Sequence, residues 1–302
     1  MSNAGAAPHH RSGSPADSYA LDREAALAFL TNLASEVSRG TVDLPCFPNV
    51  VLRISLVLAD PKTTTERVVT IVGAEPLLSA KILQTANSAA FNTSGKPVAE
   101  LKSAITRLGQ QMVHGVAMAY AMQTARSESV LKSITPQLTE LWNRSITVAS
   151  LCQLTARRTK LNPDVAFLTG LLHGIGKLYI MVRAVTGNVG VAGGDVSWLE
   201  MVAGWHASIG KTVLENWGFS QELCDAVGDQ TDFERRWRHT PSLTDVLIAG
   251  TVLADALLMP KPRSVGNHAA NAFISIGMTP ANCGELLAEA QAQIRLVHEA
   301  LA

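Results

Sequence analysis

No stretch of the 302-residue chain alternates strictly between apolar and polar side chains; apolar residues instead return every three or four positions. That period gathers them on one face of a helix, whereas a half-buried strand needs a period of two. Leu21, Ala25, Phe29, Leu33 and Val37 keep the helical spacing, and Arg39-Gly40 closes the run with a cation and a residue free to adopt positive φ. Leu138, Leu141, Ser145, Val148, Cys152 and Thr155 mark a second long helix. Thr279-Pro280 opens a last one carrying Leu286, Leu287, Ala290, Ile294, Val297 and Leu301 on its apolar side. The expected fold class is all-α, a multi-helix bundle.

Local signals divide the remainder. The prolines of Leu44-Pro45-Cys46-Phe47-Pro48 force an extended connector, after which a helix is expected from Asn49 to Leu58, stopped by Asp60-Pro61. Thr65 is placed to cap a helix carrying Val68, Val69, Ile71 and Val72, and Pro76 to open one lined by Leu78, Ile82 and Ala86. Leu101, Ile105 and Leu108 form a helix ending at Gly109, and Met112 to Met122 continue as an interior helix whose Met112, Met118, Tyr120 and Met122 read as core filling. Asn162-Pro163-Asp164 is a start signal; Ser197 with Glu200 and Ser242 with Asp245 are spaced as capping boxes. Gly187 to Gly194 reads as a loop and Asp229 to His239 as an exposed polar stretch. Residues 1–19, rich in Gly, Ala, Ser, Pro and His, read as a disordered tail whose Ser2-Asn3-Ala4 resembles a tag scar, so His9 and His10 carry no weight as ligands. The pattern turns polar again from Glu128 to Pro136, which marks a soft boundary.

Aromatics make up 5% of the chain, so the core is built from Leu, Val, Ile and Ala. Lys plus Arg and Asp plus Glu balance at 25 each, without the basic excess of a general nucleic-acid binder. Cys46, Cys152, Cys224 and Cys283 are too scattered for a zinc knuckle, a redox pair or a disulfide scaffold. The best membrane candidate, Val165 to Val182, is interrupted by His173, Lys177 and glycines, and no signal peptide opens the chain. The expected setting is the cytoplasm, with free thiols. Gly170 to Lys177 brushes a phosphate-loop pattern but has Leu171 where glycine is required. The basic cluster Arg235-Arg236-Trp237-Arg238-His239 reads as a solvated loop.

The order of several short motifs resembles the HDOD family, a degenerate relative of the HD-type metal-dependent phosphohydrolases found in bacterial signalling proteins. They are Leu44-Pro45-x-x-Pro48, Asp60-Pro61, Glu75-Pro76-x-Leu78, Ala86-Asn87-Ser88-Ala89-x-Phe91, Ala104-Ile105-x-x-Leu108-Gly109, Leu141-Trp142-x-x-Ser145, Ala166-Phe167-x-x-Gly170-Leu171-Leu172-His173, His206-Ala207-x-x-Gly210 and Asn216-Trp217-Gly218. The resemblance covers roughly Thr41 to Leu258. Glu75 stands where the family usually has Asp, a mild change. The resemblance implies an N-terminal helical subdomain over residues 20–130 packed on an HD-like helical bundle over 136–302. It also implies an output or scaffold role in signalling.

An HD hydrolase holds one or two cations with a His on one helix, a His-Asp doublet on the next and an Asp on a later helix. By resemblance the first position here is Arg144, the doublet is His173-Gly174, and Asp255 is the distant acid. His206 matches a further family histidine, and the paired histidines that usually follow are replaced by Asp229-Gln230. A guanidinium cannot shed its proton to accommodate a divalent ion. Arg144 is therefore expected to pair with Asp255 across a vestigial pocket, with His173 a satisfied core histidine and no metal or other cofactor. The expected function is a non-catalytic regulatory module acting through a signalling partner or a nucleotide-type ligand, with Arg144, His173, Lys177, His206 and Asp255 lining its pocket. The alternative is a residual metal phosphohydrolase acting on a nucleotide or cyclic dinucleotide, which needs His173, His206 and Asp255 to converge.

Overall fold

The computed structural model describes residues 15–40, 42, 44, 47–60, 62–187, 196–233, 236, 239–259 and 269–301, and among them there is no strand. The fold is all-α. Helix α1 spans Pro15–Ser38 and α2 spans Asn49–Leu58, followed by α3 (Thr65–Gly73), α4 (Pro76–Asn87) and α5 (Leu101–Ser127). A 3-10 helix, Ser129–Ile134, leads into α6 (Thr135–Arg157), α7 (Pro163–Leu172), α8 (Ile175–Thr186) and α9 (Val196–Asn216). The chain continues with α10 (Gln221–Gly228), α11 (Leu243–Leu258), α12 (Ala270–Ser275) and α13 (Pro280–Leu301).

Most local signals act where the sequence places them. Leu33 and Val37 of α1 are buried and Gly40 ends the run with φ +77°. Leu138, Leu141, Ser145, Val148, Cys152 and Thr155 all face inward along α6. Gly109 breaks α5 with φ 74° and ψ 162°, separating the two stretches that the sequence distinguishes. Ser242 and Asp245 form a reciprocal capping box at α11. Met112, Met118 and Met122 are core residues.

Three expectations need correction. Helix α1 already begins at Pro15, so residues 15–19 are helical and not part of a tail; proline suits a first turn because its missing N–H has no helical partner to lose. Residues 1–14 lie outside the described set. The cap of α3 is Thr64, whose side chain accepts from Arg67 N, and not Thr65. Helix α9 begins at Val196, one residue ahead of the expected cap position Ser197. The loop expected at Gly187 to Gly194 and most of the Arg235 to His239 cluster fall outside the described residues; Arg236 and His239 are exposed.

Helix α6 is the hub, packed against α7, α11 and α13, while α8 lies on α9 and α9 in turn on α1 and α10. One apolar core runs from Leu30 to Leu301, and α5 packs on α7 across the polar segment at 129–134, where Leu131 is fully buried. Missing side chains permit the closest helix contacts. A Cβ on Gly170 would stand 2.6 Å from Ala149 Cα of α6, and one on Gly176 would stand 1.9 Å from His206 O of α9. The apolar stretch Pro163–Thr186 has the length and composition of a membrane span, but it is folded into α7 and α8 at His173-Gly174, and its most apolar window is 83% buried in the protein.

Candidate functional site

The bend between α7 and α8 places His173 at the end of one helix and Lys177 on the first turn of the next. His173 Nδ1 lies 2.7 Å from Gly170 O. A carbonyl oxygen only accepts, so Nδ1 carries the proton and Nε2 presents a lone pair. That Nε2 is buried and has no hydrogen-bond partner among the described residues, so His173 is a core residue but not a satisfied one. His206 follows the same pattern on α9, with Nδ1 2.8 Å from Ala203 O. The close Gly176 contact brings this part of α9 against α8.

Arg144 enters from α6 and Asp255 from α11. Arg144 Nη1 sits 2.5 Å from Asp255 Oδ1, and the two side chains remain 23% and 29% exposed. The ion pair anticipated from the sequence is present. The position after His173 is filled as well: a Cβ on Gly174 would come 2.6 Å from Leu141 Cδ1, so Leu141 occupies the space a carboxylate there would need.

Gln230 is the residue that sequence reading assigned to the wrong environment. It lies in a polar stretch expected to be exposed, yet it is only 4% exposed. Its Nε2 donates to His173 O at 2.9 Å and to Val227 O at 2.8 Å, tying the end of α10 to the α7–α8 bend. The neighbouring Asp229 and Thr231 to Phe233 are exposed, as expected.

The sequence-selected residues share one electrostatic neighbourhood. Burial, then Arg144, with smaller contributions from Lys177 and His206, pushes His173 down to about 3. Burial, then Lys177 and more weakly Arg144, pushes His206 down to about 4. Burial and Arg144 lower Lys177, against the pull of Asp255 and Glu140. Both imidazoles are therefore neutral at physiological pH, and the site holds the cations Arg144 and Lys177 against the carboxylate of Asp255. Arg144 also lines an open groove of about 960 Å³ with Lys132, Glu140, Asn143, Leu258 and Met259. Sequence reading did not find this groove, whose Leu258 and Met259 are 48% and 41% exposed.

The donor set does not fit a metal. Among the described residues no three His, Cys, Asp or Glu side chains come together as a metal-binding group, so His173, His206 and Asp255 do not converge. Catalytic metal sites need about three protein ligands. Among the described residues the thiols are poor nucleophiles. Cys152 and Cys224 are buried and Cys283 partly so; burial pushes Cys152 above its ordinary range, Cys224 up to about 12 and Cys283 upward.

The HDOD domain matches residues 44–233. No curated protein matches the chain. A solved structure from Shewanella amazonensis SB2B, provisionally named a metal-dependent phosphohydrolase, is 23% identical, with a TM-score of 0.68 over 92% of this chain and 100% of that one. An HDOD domain protein with unknown function from Geobacter sulfurreducens is 21% identical, with a TM-score of 0.58 over 91% and 97% of the two chains. A protein from Marinobacter aquaeolei VT8, provisionally named for signal transduction, is 19% identical, with a TM-score of 0.62, covering 93% of this chain and 66% of that one. Such likeness establishes the fold alone.

Proposed function

The chain belongs to the HDOD family, and from that premise we propose that it is a regulatory module of signal transduction that works by binding and not by turnover. The observation that carries this reading is the Arg144–Asp255 ion pair, which puts a permanent cation beside His173 and engages the acid that a metal would require. Leu141 packed over Gly174 and the inward-turned Gln230 support it, because each uses the volume or hydrogen bonds of a ligand position for structure. A reducing, cytoplasmic setting belongs to the same reading and is supported by free thiols at Cys152, Cys224 and Cys283. The signalling name of the Marinobacter protein agrees with this role. The name of the Shewanella protein suggests the alternative, a metal phosphohydrolase, but no third metal ligand among the described residues favours it here.

Elemental analysis of the full chain after incubation with manganese, iron and zinc, followed by dialysis, tests the reading, together with turnover of an activated phosphodiester. The expected result is metal at background level and no hydrolysis. Stoichiometric metal, with hydrolysis abolished by His173→Ala, overturns it.

A further inference from the structure

We propose that the groove between the first turns of α6 and the last turn of α11 is an interface between two copies of this chain, joined about a two-fold axis. The proposal goes beyond the regulatory reading and does not depend on the chemistry of the Arg144–Asp255 site.

The groove has a volume of about 960 Å³ and opens to solvent. Its two walls run antiparallel: Arg144 of α6 meets Asp255 of α11, and further into the bundle Cys152 lies against Gly250. The residues just past Asp255 therefore come level with the start of α6, and Leu258 and Met259 line the groove together with Pro136 and Glu140. These two adjacent apolar side chains are 48% and 41% exposed. Left in water beside a hollow, they favour a partner that covers them.

Most polar side chains around the groove are already engaged. Arg144 pairs with Asp255, Asn143 Oδ1 lies 3.3 Å from His298 Nε2, and Thr139 donates to Thr135 O at 2.8 Å. Lys132 and Glu140 differ. Both are exposed, and neither side chain makes an ion pair or a hydrogen bond with a described residue.

The groove thus carries one free cation and one free carboxylate that do not meet within the chain, and an apolar pair beside a hollow. Each feature is the complement of another on the same surface. A half-turn brings Lys132 of one copy to the partner's Glu140 and Glu140 to the partner's Lys132, while Leu258 and Met259 of each copy enter the other's groove. Such reciprocity is what an isologous interface supplies. A ligand of a single charge would answer only Lys132 or only Glu140. The formal net charge of zero adds no long-range repulsion between copies. Apolar burial supplies most of the affinity, and the two exposed ion pairs chiefly fix the register.

Sedimentation velocity of the full chain, in chelator at concentrations from about 1 to 300 µM, tests this. A concentration-dependent monomer–dimer equilibrium is expected. Lys132→Glu alone and Glu140→Lys alone each turn two attractions into two repulsions, and each is expected to weaken the dimer by about tenfold or more. The exchange of both charges in one chain is expected to restore it to within about threefold of the original. Leu258→Asn, which removes apolar surface without adding charge, is expected to weaken it by about tenfold or more. Thermal melts confirm that each variant remains folded. A monomer throughout the range, an assembly larger than a dimer, a dimer insensitive to Leu258→Asn, or a double exchange no better than the single reversals overturns the proposal. None of these outcomes alters the metal and turnover results that decide the regulatory reading.

Discussion

Gln230 joins the end of α10 to the α7–α8 bend through a single carboxamide. Its Nε2 serves two buried carbonyls, those of His173 and Val227. Gln230→Leu keeps the bulk and removes both hydrogen bonds, so chemical denaturation is expected to show a loss of about 1–3 kcal/mol at unchanged m-value. An unchanged midpoint would mean that water replaces the amide. The sequence could not reveal this role, because the flanking Asp229 and Thr231 to Phe233 are solvated and burial of one residue among them depends on the distant α7–α8 bend. The misplaced cap of α3 has a more local cause. Thr63, Thr64 and Thr65 are chemically equivalent candidates; Thr63 turns its hydroxyl to Val57 O and leaves Thr64 to accept from Arg67 N.

Among the elements, the legible ones are those whose ends are written by nearby residues. Pro48 before α2, Asn162 before α7 and the Ser242–Asp245 box before α11 each act within a few positions. How closely two helices approach is a different kind of information, carried by glycines whose partners lie far along the chain. On Gly176 a methyl group meets backbone, at 1.9 Å from His206 O and 2.7 Å from Gly210 N. On Gly115 of α5 it meets only side chains, the nearest being Leu168 Cδ1 at 3.7 Å. Gly176→Ala must therefore push α8 off α9 and is expected to cost about 3 kcal/mol or more. Gly115→Ala adds helix propensity at an ordinary contact distance and is expected to be neutral or to stabilise by up to about 1 kcal/mol. Paired thermal melts check both; equal destabilisation would show that the close approach of α8 to α9 is not what Gly176 serves.

Across the molecule, neutral histidines are buried in several places. His114 of α5 bonds Ser55 of α2 at 2.7 Å and stacks on Phe219 beyond α9, with ring centroids 4.1 Å apart. Burial pushes it down to about 3, as it does His173, with His206 at about 4, all from an ordinary 6.5. The unfolded chain thus binds more protons than the folded one below that ordinary value. Stability is full above about pH 6.5 and declines as pH falls toward the folded values, by about 1.4 kcal/mol per pH unit for each histidine. Denaturant midpoints at neutral pH and near pH 5 isolate this effect, because the lowered carboxylates Glu66 and Asp225 begin from 4.5 and 3.8 and respond only under more acidic conditions. A midpoint that stays level across that interval would contradict the assignment. The fold class was readable from periodicity and the Arg144–Asp255 pairing was implied by the family resemblance; the His114 contacts join three distant segments and left no such trace. The packing of Leu141 against Gly174 bears on descent. A Cβ at Gly174 would stand 2.6 Å from Leu141 Cδ1, the free end of a side chain that can turn aside, whereas the Arg144–Asp255 pair occupies both of its partners at 2.5 Å. A lineage in which a metal is to displace that pair must therefore lose Arg144 as well as gain an acid after His173.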